Sequence, residues 1–285
     1  MNTKPSHQDI IDRENKTWSS VAKGWKKHDK RLRESSEPVT QRMLELAAIK
    51  TGNRVLDIAS GTGEPAIPAA QRVGDSGFVI GTDLAEDMLA IARDKALHEK
   101  VANIEFRCVD GKTLDFEPES FHATTIRWGL MFMPDPENIL KQVHRVLKKD
   151  GHISVACWAE PERNPFFTHA MTILMKHMEV PQPPPGSPGV FAFADPNRLT
   201  QVLTDCGFQN VGIEDLAVTM FEADSGEEYW EMMEDMAGPI VQLMKQMDEK
   251  NRTAYIKDVI NTANAQKKNG KVQMLGTTWI AHAHK

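Results

Sequence analysis

The chain lacks any apolar run approaching the roughly 20 residues that cross a bilayer, and its polar start, Met1 to Lys16, has no apolar segment of the secretory kind. A cytoplasmic protein without an integral membrane segment is expected. Cysteine is scarce: Cys108, Cys157 and Cys206 are odd in number and widely spaced, which excludes a disulfide framework and a C-x-x-C metal site. Cys108 and Cys157 fall in expected strands and read as core residues. Positive charge is not in excess, with 34 Lys and Arg against 40 Asp and Glu and a net charge of -6. A nucleic-acid partner would need a basic stripe, so none is expected, and no histidine or cysteine spacing calls for a metal. At 285 residues the chain is long enough for one buried core and a lid.

What is present centres on Val55-Leu56-Asp57-Ile58-Ala59-Ser60-Gly61-Thr62-Gly63-Glu64-Pro65-Ala66. An apolar run of this length reads as a buried parallel strand, and the glycines after it permit backbone angles and close approaches that a Cβ forbids. Gly61 to Ala66 satisfies the G-x-G-x-x-A form of a dinucleotide-binding turn, so the turn alone leaves the ligand open. Three acids narrow it: Asp57 before the first glycine, Asp83 after Phe78-Val79-Ile80-Gly81-Thr82, and Asp110 after Ile104-Glu105-Phe106-Arg107-Cys108-Val109. Asp83 suits a ribose diol in either class of cofactor. Asp57 and Asp110 suit a ligand with a cationic amino-acid end and an exocyclic adenine amine, whereas a pyrophosphate would be repelled by them.

With these residues the chain resembles the class I S-adenosylmethionine-dependent methyltransferases, nearest the small-molecule enzymes similar to the ubiquinone and menaquinone biosynthesis methyltransferases. The family's first motif matches Val55 to Gly63, its ribose acid Asp83 and its adenine-side pair Asp110-Gly111. Arg127-Trp128-Gly129-Leu130-Met131-Phe132 resembles the strand and loop that face the transferred methyl, and Val143 to His152 the helix and turn before the fifth strand. The resemblance implies that S-adenosyl-L-methionine is held by Asp57, Ala59, Ser60, Gly61, Gly63, Asp83, Leu84, Met88, Asp110, Gly111 and Arg127, with S-adenosyl-L-homocysteine as product. It implies a small, partly apolar or aromatic acceptor against Trp25, Trp128 and Phe132, positioned by Arg127, Trp128 and His28. No single catalytic base follows, because an activated donor needs mainly alignment and desolvation. A cofactor-binding protein that cyclises or decarboxylates without methyl transfer, and a nicotinamide-dependent oxidoreductase, are the alternatives.

The expected fold is α/β: a Rossmann-like, seven-stranded, mostly parallel sheet with, as the resemblance implies, the last strand antiparallel. Residues 1–50 read as a helical cap, 51–160 as the cofactor-binding core, and 161–285 as lid helices completing the sheet. Strands are predicted near 54–58, 77–82, 103–108, 121–127, 152–158, 211–221 and 272–284. In the cap, Trp18, Val21, Ala22 and Trp25 share one helical face, either roofing the donor pocket or simply anchoring the helix. The cluster Lys23, Lys26, Lys27, Lys30, Arg31 and Arg33 reads as a solvated face, interrupted by Asp29 and Glu34. An insertion at 222–268 carries Met232, Met236, Ile240, Met244 and Met247 at helical spacing, a lid or core face that also suits a hydrophobic pocket. His28, His122, His144, His152, His169 and His177 read as surface or core histidines, Pro181 to Gly189 as an exposed loop, and Asp195-Pro196 as a helix start. Oligomeric state is left open, a homodimer being one option.

Overall fold

A computed structural model describes residues 6–109, 113–180 and 186–285. Seven strands form one sheet: β1 (Arg54–Ile58), β2 (Phe78–Asp83), β3 (Ile104–Cys108), β4 (Phe121–Arg127), β5 (Leu147–Trp158), β6 (Gln209–Ala223) and β7 (Val272–His284). Their order is β3-β2-β1-β4-β5-β7-β6. The first five run parallel, and β7 is antiparallel to both β5 and β6. Val55 pairs with Val79 on one side and Ala123 on the other, so β1 is central, and its Val55, Leu56, Asp57 and Ile58 are all buried. Continuous apolar runs here reflect burial on both faces of the sheet. The strand order reverses between β1 and β4, where α/β folds place ligands beyond the strand ends.

The expected cap is a single 40-residue helix, α1 (His7–Leu46). Ser6 opens it with a capping box: its hydroxyl accepts from the Asp9 amide at 3.2 Å, and its own amide donates to the Asp9 carboxylate at 2.9 Å. Val21 and Ala22 pack with Ala85 and Met88 at the start of α3 (Glu86–His98), whereas Val39 and Met43 join the main core. One helix therefore spans the molecule from the nucleotide-side strands to the far half of the sheet. Between α1 and β5 the chain adds α2 (Ala66–Val73), α3 and α4 (Pro136–Val146) as crossovers, with a 3₁₀ turn at Leu130–Phe132.

The expected turn before the fifth strand is different. The helix α4 ends at Val146 and β5 begins at once at Leu147; Leu147 pairs with Phe121 and His152 with Ala123, so residues 148–151 form a bulge inside the strand. Asp150, at φ 59°, supplies the left-handed residue that this excursion needs. Beyond β5 come α5 (Pro165–His177) and α6 (Pro196–Asp205), the latter capped by Asp195 as expected.

The insertion between the last two strands holds α7 (Gly226–Met236), α8 (Gly238–Met244) and α9 (Glu249–Ala265). The methionine stripe is not one helix, because the chain breaks at Ala237 ahead of Gly238-Pro239, where proline has no amide hydrogen to continue the ladder. The basic cluster of α1 is also not simply solvated: Lys27 pairs with Glu231 and Asp235, Arg31 with Glu228, Arg33 with Glu99 and Lys26 with Asp94. These pairs tie the cap to α3 and α7.

Candidate active site

After Ile58 the backbone leaves β1 through Ala59, at φ 58°, into a tight turn in which the Gly63 amide donates to the Ser60 carbonyl at 2.8 Å. Gly61 is left-handed at φ 52°, and a Cβ on it would meet nothing within 4 Å, so this position opens on the cavity. Its amide donates to Asp83 Oδ2 at 2.8 Å, while Asp83 Oδ1 accepts from the Ala85 amide at 2.9 Å. The carboxylate is thus held rigidly between two backbone donors, and its remaining lone pairs are available to a diol. Burial raises the Asp83 pKa, opposed by these amide hydrogen bonds.

The neighbouring strand β4 ends in Arg127, Trp128 and Gly129. Arg127 Nη1 donates to Ser36 Oγ at 2.8 Å and Thr40 Oγ1 at 2.9 Å, both on α1, and its guanidinium carbon lies 4.7 Å from the centre of the Trp128 ring. Trp128, left-handed at φ 56°, stacks on Trp158 at 4.3 Å and donates Nε1–H to Thr278 Oγ1 at 3.1 Å. From the cap, Trp18 sets its ring edge-on to Trp25 at 6.0 Å and to Phe132 at 5.3 Å.

These elements enclose a cavity of about 990 Å³. One end is walled by Ala59, Ser60, Gly61, Glu64, Asp83, Leu84 and Met88. The other is apolar, walled by Met131, Phe132, Phe166, Phe167, Met171, Met233 and Ile240. Arg127 is the sole Lys or Arg on the wall among the described residues. Trp25 and Trp128 also line it, while Trp18 and Trp25 pack against Val21 and Ala22.

The sequence model of the ubiE/COQ5 methyltransferase family matches residues 35–182, just over half of the chain. The chain belongs to this family. It is 40% identical over 119 residues to the ubiquinone/menaquinone biosynthesis C-methyltransferase of Pseudomonas fluorescens, covering 41% of this chain and 46% of that protein. It is 38% identical over 128 residues to the demethylmenaquinone methyltransferase of Lactococcus lactis, covering 45% and 50%. The chain thus spans about half the length of the curated relatives it matches. Among solved structures, the [4+2]-cyclase SpnF has the same fold, with a TM-score of 0.64 at 19% identity over 99% of this chain and 97% of that one. The segment matched to the ubiE/COQ5 family contains the glycine turn, Asp83 and Arg127 to Phe132, but neither Trp18 and Trp25 nor the α7–α8 lid. Of the apolar wall, Met131, Phe132, Phe166, Phe167 and Met171 lie inside the matched segment and Met233 and Ile240 outside it.

Several expected site residues stand elsewhere. Asp57 is not on the wall: it is wholly buried beneath the turn, with Oδ1 accepting from Thr125 Oγ1 at 2.6 Å and Oδ2 without a partner among the described residues. Burial pushes its pKa up to about 7, opposed by the Thr125 hydrogen bond. Gly63 is also off the wall; a Cβ there would come within 2.7 Å of Ile67, so its role is packing between the turn and α2. His28 faces away from the cavity and lies 2.8 Å from Asp235. Asp110 and Gly111 lie outside the described residues. The other histidines singled out in the sequence, His122, His144, His152, His169 and His177, are off the wall too, although His7 is on it; His122 Nδ1 accepts from the Arg54 amide, and His177 pairs with Asp258.

Three carboxylates on the wall were not among the expected site residues: Glu14, Glu64 and Asp135, the last of which caps α4 by accepting from the Asn138 amide. Glu64 stands inside the quoted turn, is 7% exposed, and has its pKa raised by burial. Glu14 lies one helical turn before Trp18, on the face that carries Trp18, Val21 and Trp25, and burial raises its pKa as well. The 3–4 spacing that marks that face includes Glu14, so its position was readable; its burial required the rest of the fold.

Proposed function

We propose that this chain transfers a methyl group from S-adenosyl-L-methionine to a carbon atom of a neutral, largely apolar and aromatic small molecule, leaving S-adenosyl-L-homocysteine. The carrying observation is one continuous cavity that joins the Gly61–Asp83 turn to an apolar wall whose only Lys or Arg, among the described residues, is Arg127. The residues fit the donor. Gly61 leaves open space, Asp83 presents a fixed carboxylate for the ribose, and Ala59, Ser60, Leu84 and Met88 border the same end. When bound, the donor supplies an already activated methyl group on sulfonium.

What the chain itself must then do is exclude water and hold an acceptor in line. Trp18, Trp25, Phe132 and Trp128 offer flat apolar faces, and the methionines of α5 and α7 adapt to an irregular partner. A phosphorylated acceptor would need several cations, which the described residues of this wall do not provide. The name of the Pseudomonas fluorescens relative, a ubiquinone/menaquinone biosynthesis C-methyltransferase, supports a carbon atom as the acceptor. Residues 7–34 of the cap helix and the α7–α8 lid lie outside the family segment, so the acceptor is expected to differ from theirs in shape.

The test is formation of S-adenosyl-L-homocysteine with a panel of neutral aromatic diols and phenols set beside phosphorylated alcohols and amines. Turnover with neutral members and none with phosphorylated ones is expected. Preference for a phosphorylated acceptor would overturn the substrate class. An acceptor consumed without release of S-adenosyl-L-homocysteine would point to a non-methylating reaction, and tight NAD binding without S-adenosylmethionine binding would overturn the donor.

A further inference from the structure

We infer that Glu14 is the catalytic base of the reaction proposed above, taking the proton of an acceptor hydroxyl as an activated ring carbon attacks the methyl group. This rests on the neutral, phenol-like acceptor proposed there. The turn of α1 from Glu14 to Trp18 stands where the two ends of the cavity meet. On the donor side Asn15 Nδ2 donates to the Leu84 carbonyl at 3.0 Å, and on the acceptor side Trp18 lies edge-on to Phe132 at 5.3 Å. The lid closes on the same turn, since a Cβ on Gly238 of α8 would come within 3.2 Å of Thr17 and Val21. Glu14, Thr17 and Trp18 all line the cavity, and the Glu14 side chain is only 13% exposed. Glu14 also lies outside the segment matched to the ubiE/COQ5 family, so the assignment is particular to this cap.

The other carboxylates and the histidine on the described wall are engaged or displaced. Asp83 is held by the Gly61 and Ala85 amides, Asp135 accepts from the Asn138 amide, and Glu64 pairs with Lys95 at 3.5 Å with its Oε1 sealed. His7 is exposed at the first residue of α1. Glu14 meets the Trp18 indole and Arg13 Nη2, the latter at 3.3 Å from a side chain that is 58% exposed. Arg13, on its own helix, is the only charged group among the described residues that acts on it. An exposed partner of this kind does little to satisfy a carboxylate, and burial makes Glu14 the more basic. A neutral phenol is a poor carbon nucleophile until its hydroxyl gives up the proton. Glu14 accepts that proton, the O–H pair moves into the ring, the carbon ortho or para to the hydroxyl bonds the methyl, and the methyl–sulfur pair stays on sulfur. The methylated carbon then loses its own proton to water, and Glu14 returns the first proton to the oxygen as the ring becomes aromatic again. The net products are the methylated phenol, S-adenosyl-L-homocysteine and one proton.

Kinetics with the best phenol of the panel above and with its O-methyl ether test the assignment, beside calorimetry with S-adenosyl-L-homocysteine. Glu14→Gln should lower kcat by about 100-fold or more while KM and S-adenosyl-L-homocysteine affinity change little, the latter showing that the variant is folded. In the unsubstituted protein kcat should rise with pH through a limb above the ordinary glutamate value of 4.5, and Glu14→Gln should lack that limb. Glu14→Asp, which keeps the base on a shorter arm, should recover part of the rate. The ether has no proton to give and should not be methylated. With S-adenosyl-L-homocysteine bound, the phenol should bind about tenfold more tightly than the ether, and Glu14→Leu should erase that preference. An unchanged kcat or pH limb in Glu14→Gln, methylation of the ether, or a loss of S-adenosyl-L-homocysteine affinity as large as the loss of rate would each overturn the role of Glu14. If the unsubstituted protein methylates no phenol at all, the acceptor class itself falls and Glu14 with it, a result that no variant imitates.

Discussion

A Cβ on Gly129 would overlap the Cβ of Ala59, so the ends of β4 and β1 meet with no room for a side chain between them. Ala59 is itself left-handed, as is Trp128 before Gly129, and the two strand ends turn outward together to form the floor of the cavity. Gly129→Ala should therefore act as overpacking, destabilising by about 1–3 kcal/mol in urea unfolding. Gly61→Ala meets no neighbour and carries only a left-handed backbone cost of about 1–2 kcal/mol, but its methyl group enters the donor end. For Gly61→Ala, lost affinity for S-adenosyl-L-homocysteine should exceed lost stability, and the reverse order would count against the cavity assignment.

Asp83 joins the turn to β2 through the Gly61 and Ala85 amides. Asp83→Asn keeps one acceptor oxygen and turns an N–H toward a backbone donor, so the turn loosens and the ribose contact weakens. A loss on the order of 1.5–3 kcal/mol in donor binding is expected, measured as the dissociation constant of S-adenosyl-L-homocysteine. An unchanged constant would remove Asp83 from the donor site.

The buried Asp57 makes stability depend on pH. Its folded-state pKa of about 7 lies above its ordinary value of 3.8, so between these values the folded chain holds a proton that the unfolded chain has released. Its contribution is fully present below about pH 4 and is lost as pH rises through about 7. Asp57→Asn removes that loss. Unfolding free energies of the two proteins should diverge in the variant's favour from pH 4 to pH 8, and parallel profiles would show that Asp57 is ionised throughout.

Cap and lid meet in two physically different ways. Lys27 is exposed and pairs with Glu231 and Asp235, the sort of contact that solvent and salt screen, so Lys27→Ala should leave the unfolding midpoint nearly unchanged. Gly24 lies directly against the backbone carbonyl of Asp235, which a Cβ would overlap, and Gly24→Ala should force α7 away from α1. Accelerated hydrogen exchange across 226–236 is the readout, and a silent Gly24→Ala would mean that the seam is held by charge after all.

The strands, the crossover helices and the glycine turn were legible because each is a local pattern: apolar runs for strands buried on both faces, 3–4 spacing for helices, and glycine where the backbone must turn. Asp83 was legible for the same reason, since an acid at the end of the second strand can only fall beside the turn. The bulge at 148–151 and the break at Ala237 are less local, the first set by pairing to β4 and the second by the change of direction between α7 and α8.

The sequence by itself determined the order of the elements, because that follows from periodicity, whereas the antiparallel last strand was expected only through the family resemblance. Only the tertiary structure decided which acids reach the cavity. Asp57 and Glu64 stand seven residues apart in one motif, yet one is sealed under the floor and the other faces the space beside Arg127. The direction of a side chain leaving a tight turn depends on backbone angles and on the helix packed above it, and α1, which supplies that packing, begins far away in the chain.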